Sequence, residues 1–109
     1  MPEVEFEGKK YRTDEAGFIQ DPEKWSPKLA EFLAKKEGIG GLTSDHWKVI
    51  DCIRDHYLKF GVAPLIEKLR KETGFTLRQI YELFPQGPAK SACKIAGLTY
   101  ERCTVACVP

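Results

Sequence analysis

Four cysteines stand at positions 52, 93, 103 and 107. The last three are the residues best placed to do chemistry. Cys103 and Cys107 fall in the closing stretch Thr99-Tyr100-Glu101-Arg102-Cys103-Thr104-Val105-Ala106-Cys107-Val108-Pro109. This stretch has no helical period and ends the chain, which predicts a mobile, exposed arm over residues 99–109. Arg102 favours the thiolate of Cys103, with Glu101 partly opposing it, while the nearby terminal carboxylate disfavours the thiolate of Cys107. Cys93 follows Ala92 and lies among Lys90 and Lys94, whose ammonium groups favour a thiolate. The arm extends about 35–40 Å at most, enough to enter a channel in a partner. It can also fold back, because Cys93 and Cys103 are only about ten residues apart and so short a loop closes at small entropic cost. Thiols arranged this way suit attack on a sulfur centre held by another protein, followed by exchange with a second thiol. Such chemistry needs no cofactor.

Two further uses of these residues are weaker. Cys103-x-x-x-Cys107 has the spacing of half a zinc site, which Cys93 with His46 or His56 would have to complete. No second close pair exists, so no metal is expected. Cys52 lies in the middle of the longest helical pattern and reads as a small core residue.

The elements that must position the thiols follow from periodicity and punctuation. Val4-Glu5-Phe6 and Lys10-Tyr11-Arg12 alternate around Glu7-Gly8-Lys9, which predicts a β-hairpin, and Gly17-Phe18-Ile19 suggests a further short extended piece. Ser26-Pro27 starts a helix with Leu29, Phe32 and Leu33 on one stripe, ending near Glu37-Gly38. Thr43 or Ser44 caps a second helix, whose inward face is Trp47, Ile50, Ile53, Tyr57 and Leu58 and which Gly61 ends. Ala63-Pro64 opens a third, with Leu65, Ile66 and Leu69 inward, stopped at Gly74. Thr76-Leu77-Arg78-Gln79 fits a capping box and starts a fourth, with Ile80, Leu83 and Phe84 inward. Pro88 starts a short fifth helix that carries Cys93 and ends at Gly97. The expected fold is mainly α, a helical bundle with an N-terminal hairpin over residues 1–98, followed by the cysteine-bearing arm.

The chain has 109 residues and a net charge of +1, which suits one modest core and gives no general attraction to nucleic acid or membrane. Apolar runs are too short for a membrane span. The N-terminus lacks the basic start and apolar stretch of a signal peptide, so a cytoplasmic protein is expected. There thiols are normally reduced and disulfides tend to be transient or catalytic. The third and fourth helices around Gly74 could imitate a DNA-binding helix-turn-helix. The near-neutral balance and Glu82 on the second of them argue against DNA.

The block Leu83-Phe84-Pro85-Gln86-Gly87-Pro88-Ala89-Lys90-Ser91-Ala92-Cys93-Lys94-Ile95-Ala96-Gly97-Leu98 resembles the signature of the family of the dissimilatory sulfite reductase gamma subunit, DsrC, and its relative TusE. Asp14-Glu15, Gly17-Phe18, Trp25-Ser26, His46-Trp47, Ala63-Pro64 and Tyr81 extend the likeness, which covers Phe6 to Leu98. The resemblance implies a sulfur-carrier protein that is a co-substrate of the reductase's catalytic subunits more than an independent enzyme. Its arm thiols would pass through persulfide, trisulfide or disulfide states. A membrane-associated thiol or trisulfide reductase, or a sulfurtransferase, would be the second partner. Cys93 matches the family's upstream cysteine, which TusE-like relays for tRNA thiolation typically lack. It implies Cys93, Cys103 and Cys107 as reacting residues, with Lys90, Lys94 and Arg70 toward the partner. The pair Cys93–Cys103 is expected to close on oxidation, leaving Cys107 free or carrying sulfur. Two features depart from the family. The arm lacks its usual Leu-Pro-Lys-Pro run, so that an ungapped match sets the terminal cysteine on Thr104, and Glu67 replaces the usual Arg.

Overall fold

The chain's N-terminal hairpin is formed by β1 (Glu3–Phe6) and β2 (Lys9–Arg12), antiparallel with Phe6 opposite Lys9. Its two-residue turn, Glu7-Gly8, has positive φ at both positions, the backbone that matches strand twist. The expected third extended piece is reduced to one bridge, Thr13 with Ile19. Asp14 holds it, donating its N–H to the Phe18 carbonyl and accepting the Phe18 N–H on Oδ1. This small turn drives Phe18 and Ile19 into the core. The computed structural model describes residues 3–87 and 91–103.

Among the described residues, five α-helices build the bundle. α1 (Pro27–Lys36) begins as expected, with the Ser26 hydroxyl accepting the Leu29 N–H and Pro27 in the first turn. Leu29 and Leu33 are buried, and Phe32 packs on Phe6 with ring centroids 4.9 Å apart. α2 (Ser44–Phe60) is the longest element and packs against α3, α4 and α5. Thr43 is its cap, in a capping box completed by His46. Val49, Ile50 and Ile53 form its buried stripe. Leu58, expected inward, is exposed because it lies one position beyond the Ile50–Ile53–Tyr57 ridge. Gly61 ends the helix at φ 77°.

The third helix starts later than expected. α3 covers Ile66–Thr73, and Leu65 is its cap, 57% exposed rather than inward. The cause is Ala63, whose N–H donates to the Arg102 carbonyl at 2.8 Å. Ala63 precedes Pro64, which also disfavours helical backbone at that residue. α4 (Leu77–Leu83) has the expected capping box of Thr76 and Gln79, and buries Ile80 ahead of buried Phe84. α5 is described over Cys93–Ile95, and its expected opening at Pro88 lies outside the described residues. Among those residues, no helix is long and apolar enough to cross a membrane.

Candidate functional site: a cysteine pair between helix and arm

Cys93 enters α5 from a fully buried segment: Ser91, Ala92, Ile95, Ala96 and Leu98 are all inaccessible to solvent. The end of α5 is closed without a loose carbonyl. The Leu98 N–H reaches back to the Cys93 carbonyl and the Gly97 N–H to the Lys94 carbonyl, both at 3.1 Å, with Gly97 at φ 81°. This is a Schellman closure. The next two carbonyls are taken by side chains from distant elements. Trp25 donates its indole N–H to the Ile95 carbonyl at 2.7 Å, and Arg54 of α2 donates Nη1–H to the Ala96 carbonyl at 2.6 Å. The Arg54 guanidinium lies over the Trp25 ring, 4.1 Å from its centroid, a cation–π contact. Gly97 sits directly against Trp25, and an added Cβ would come within 2.6 Å of the indole Cγ. The carbonyls of Cys93, Lys94, Ile95 and Ala96 are therefore all satisfied, and the Cys93 backbone is held from two sides.

Beyond Leu98 the chain turns once, as a 3-10 helix over Tyr100–Arg102, and reaches Cys103. Cys93 and Cys103 form a disulfide with their Cα atoms 6.0 Å apart. This is the pairing expected on oxidation, and it lies within the usual reach of a bridge. Cys93 is 0% exposed and Cys103 is 2% exposed. Cys103 was expected to be solvent-facing on a free arm. In the bridged protein it is covered, because the turn before it rests on the α2–α3 loop.

The other expected site residues separate. Lys94 pairs with Glu37 at 3.3 Å, and Glu37 also accepts the Ser91 hydroxyl. The Lys94 ammonium lies 5.3 Å from the Phe18 ring centroid. Its charge is thus shared with a carboxylate that the sequence reading did not connect to it. Arg70 lies on α3 and pairs with Glu67 at 3.4 Å. Lys90 and Cys107 lie outside the described residues. His46, a candidate zinc ligand in sequence, uses both ring nitrogens. Nδ1 accepts the Thr43 N–H at 3.1 Å, so Nε2 carries the proton and donates to the Leu83 carbonyl at 2.8 Å.

Cys52 is half-buried on α2, in a cleft of about 470 Å³ bordered by Lys48, Asp55, His56, Lys68 and Glu72. Burial, then the nearby carboxylates of Glu72 and Asp55, push its thiol up to about 11, with Lys68 opposing. A thiol so shifted is a poor nucleophile at neutral pH.

Sequence reasoning noted Trp25 only as part of the family likeness, without a role, and missed Arg54. Trp25 could have been suspected from its place directly before the Ser26 cap. Nothing local marks Arg54, whose contact spans 42 residues.

The protein-family model described as "DsrC like protein" matches residues 5–104. The dissimilatory-type sulfite reductase gamma subunit of Nitratidesulfovibrio vulgaris is 47% identical over 98 residues, covering 90% of this chain and 93% of that relative. Sulfurtransferase TusE of Escherichia coli (strain K12) is 44% identical over 100 residues, covering 85% and 91%. Among solved structures, the oxidized gamma subunit of the dissimilatory sulfite reductase (DsrC) from Archaeoglobus fulgidus superposes with a TM-score of 0.84 at 47% identity. It covers 91% of this chain and 96% of that one. On motif, fold and the bridged cysteine pair together, the chain belongs to the DsrC-like family.

Proposed function

We propose that the protein is a cytoplasmic sulfur carrier and a co-substrate of the catalytic subunits of a dissimilatory sulfite reductase. The observation that carries this reading is the pairing of Cys93, fixed on α5, with Cys103, on a short segment joined to the bundle. Relatives named as a sulfite reductase gamma subunit and as a sulfurtransferase support a role in sulfur handling.

The chemistry follows from thiol exchange. A tail thiolate, on Cys103 or Cys107, takes sulfur from the partner and becomes a persulfide. When it is Cys103 that is loaded, the Cys93 thiolate attacks the sulfur bonded to the Cys103 side chain. The Cys93–Cys103 bond forms, the sulfur–sulfur bond of the persulfide breaks, and hydrosulfide leaves. That step is redox-neutral and yields the bridge seen here. If the reductase instead holds sulfur two electrons more oxidised, the Cys93 and tail thiols together give it two electrons, release two protons and keep it between them as a trisulfide. A membrane-associated thiol or trisulfide reductase, or a sulfurtransferase, then resets the carrier. Cys107, nearer the end of the chain, is the thiol that reaches deeper into a partner, and Lys90 and Arg70 face the partner on this reading, while Lys94 stays paired with Glu37 against the bundle.

A DNA-binding role for α3 and α4 is less well supported. Arg70 is paired with Glu67 and Arg78 with Glu82, so acids sit on the cations that would meet phosphate.

The deciding experiment is mass mapping of the protein isolated from its native cell during sulfite reduction. One-sulfur adducts on Cys103 or Cys107, and a bridge to Cys93 with or without an inserted sulfur, are expected. Cysteines that stay unmodified while the reductase turns over would overturn the reading.

A further inference from the structure

The 3-10 turn is held to the bundle at both ends by contacts that do not involve sulfur. At one end the Tyr100 ring meets Phe18 edge-on, with centroids 5.6 Å apart and planes at 83°. Phe18 is itself buried, and its ring faces the Lys94 ammonium that Glu37 fixes. At the other end Arg102 makes two contacts with the α2–α3 loop. Its carbonyl accepts the Ala63 N–H at 2.8 Å, and its guanidinium Nη1–H donates to the Gly61 carbonyl at 3.4 Å. The loop is a firm dock. The Gly61 N–H is bound to the Tyr57 carbonyl at 2.7 Å, and His56 Nδ1–H donates to the Val62 carbonyl at 2.8 Å. Inside the turn, the Arg102 and Cys103 N–H groups bond to the Thr99 and Tyr100 carbonyls, both at 3.1 Å.

Resting on the carrier reading, we propose that Tyr100 and Arg102 are positioning residues, a non-covalent clasp that brings Cys103 over Cys93 before any bond forms. Their effect is one of proximity. A thiol held near its partner reacts at a raised effective concentration, and the closed state that the clasp favours is also the state the disulfide requires. The clasp therefore stabilises the bridged form relative to the open dithiol. It acts on an equilibrium and takes no part in the bond-making.

The test is redox equilibration of the full chain with glutathione, in which the dithiol and oxidised glutathione give the disulfide and two reduced glutathione molecules. A Cys52→Ser/Cys107→Ser background confines the readout to the Cys93–Cys103 pair. Loss of one aromatic contact and one hydrogen bond is worth about tenfold in the equilibrium constant. The Tyr100→Ala/Arg102→Ala double variant is expected to form the bridge about tenfold less favourably, a potential about 30 mV more positive. Glu101→Ala, on the exposed middle of the same turn, removes no clasp contact and is expected to move the constant far less, through its charge beside Cys103 alone. Both clasp side chains are exposed, and thermal unfolding of the reduced variants checks that the bundle is intact. An unchanged constant in the double variant, or an equal change in Glu101→Ala, overturns the clasp. Because this readout uses the isolated protein, it stands apart from sulfur-adduct mapping in the cell. A shifted potential with no adducts in the native protein would keep the clasp and remove the carrier role.

Discussion

Gly97 bears two constraints at once. Its φ of 81° belongs to the left-handed region, and Trp25 occupies the space a Cβ would need. Strain and overpacking each cost about 1–3 kcal/mol. Gly97→Ala is expected to lower stability by about 3 kcal/mol, read as a shift of the urea midpoint with an unchanged slope. Trp25→Phe keeps an aromatic side chain but removes the donor to the Ile95 carbonyl along with part of the indole surface. Leaving that buried acceptor unpaired is expected to cost about 1–3 kcal/mol in the same assay. Cys52 behaves differently from the other thiols. With its pKa near 11 instead of the ordinary 9.0, its thiolate fraction at pH 7 is lowered about a hundredfold. Alkylation by iodoacetamide in the reduced protein is expected to be slow at Cys52 and to accelerate as pH rises toward 11. Fast labelling of Cys52 at neutral pH would show that the cleft leaves the thiol solvated.

Among the elements, the helix starts and stops were readable from sequence wherever local chemistry sets them. Ser26-Pro27, Thr43, Gly61, Gly74 and the Thr76–Gln79 box all act where the residue types imply. The readings that fail depend on long-range partners. α3 begins at Ile66 because Ala63 is engaged by the arm, forty residues away in sequence. No periodicity within residues 63–69 could reveal that. Likewise Lys94 looks like a free cation beside Cys93 in sequence, and only folding brings Glu37 to it. The Thr76→Ala substitution tests the local class. It is expected to destabilise by about 1 kcal/mol, the usual value of a lost cap, without altering the Cys93–Cys103 equilibrium.

For the molecule as a whole, the bridge joins the bundle to its own C-terminal segment. In the chain-entropy account, closing a loop of about ten residues contributes up to about 3 kcal/mol. Reduction is therefore expected to lower the melting temperature by about ten degrees while the helical signal below the transition persists. The division into a bundle over residues 1–98 and an arm beyond it carries its own expectation. Truncation after Leu98 should leave the bundle folded, since Leu29, Ile50, Ile53, Ile80 and Phe84 supply the buried interior without the arm, and should cost what reduction costs together with the contacts of Tyr100 and Arg102. Hydrogen exchange at amides 99–103 should be slow in the bridged protein and faster after reduction. A far larger loss on truncation would make the segment part of the fold proper.

The near-complete burial of both sulfurs also decides who can reset the pair. A dissolved thiol must touch sulfur to reduce it, and Cys93 is fully buried while Cys103 is only 2% exposed. Reduction by small thiols should then wait on spontaneous opening, and its rate should level off as the thiol concentration rises. A protein that prises the segment from the Gly61–Ala63 loop escapes that ceiling. The closed bridge is in this sense partly insulated from the general thiol pool, and its lifetime in the oxidised state should be set by how often the segment opens.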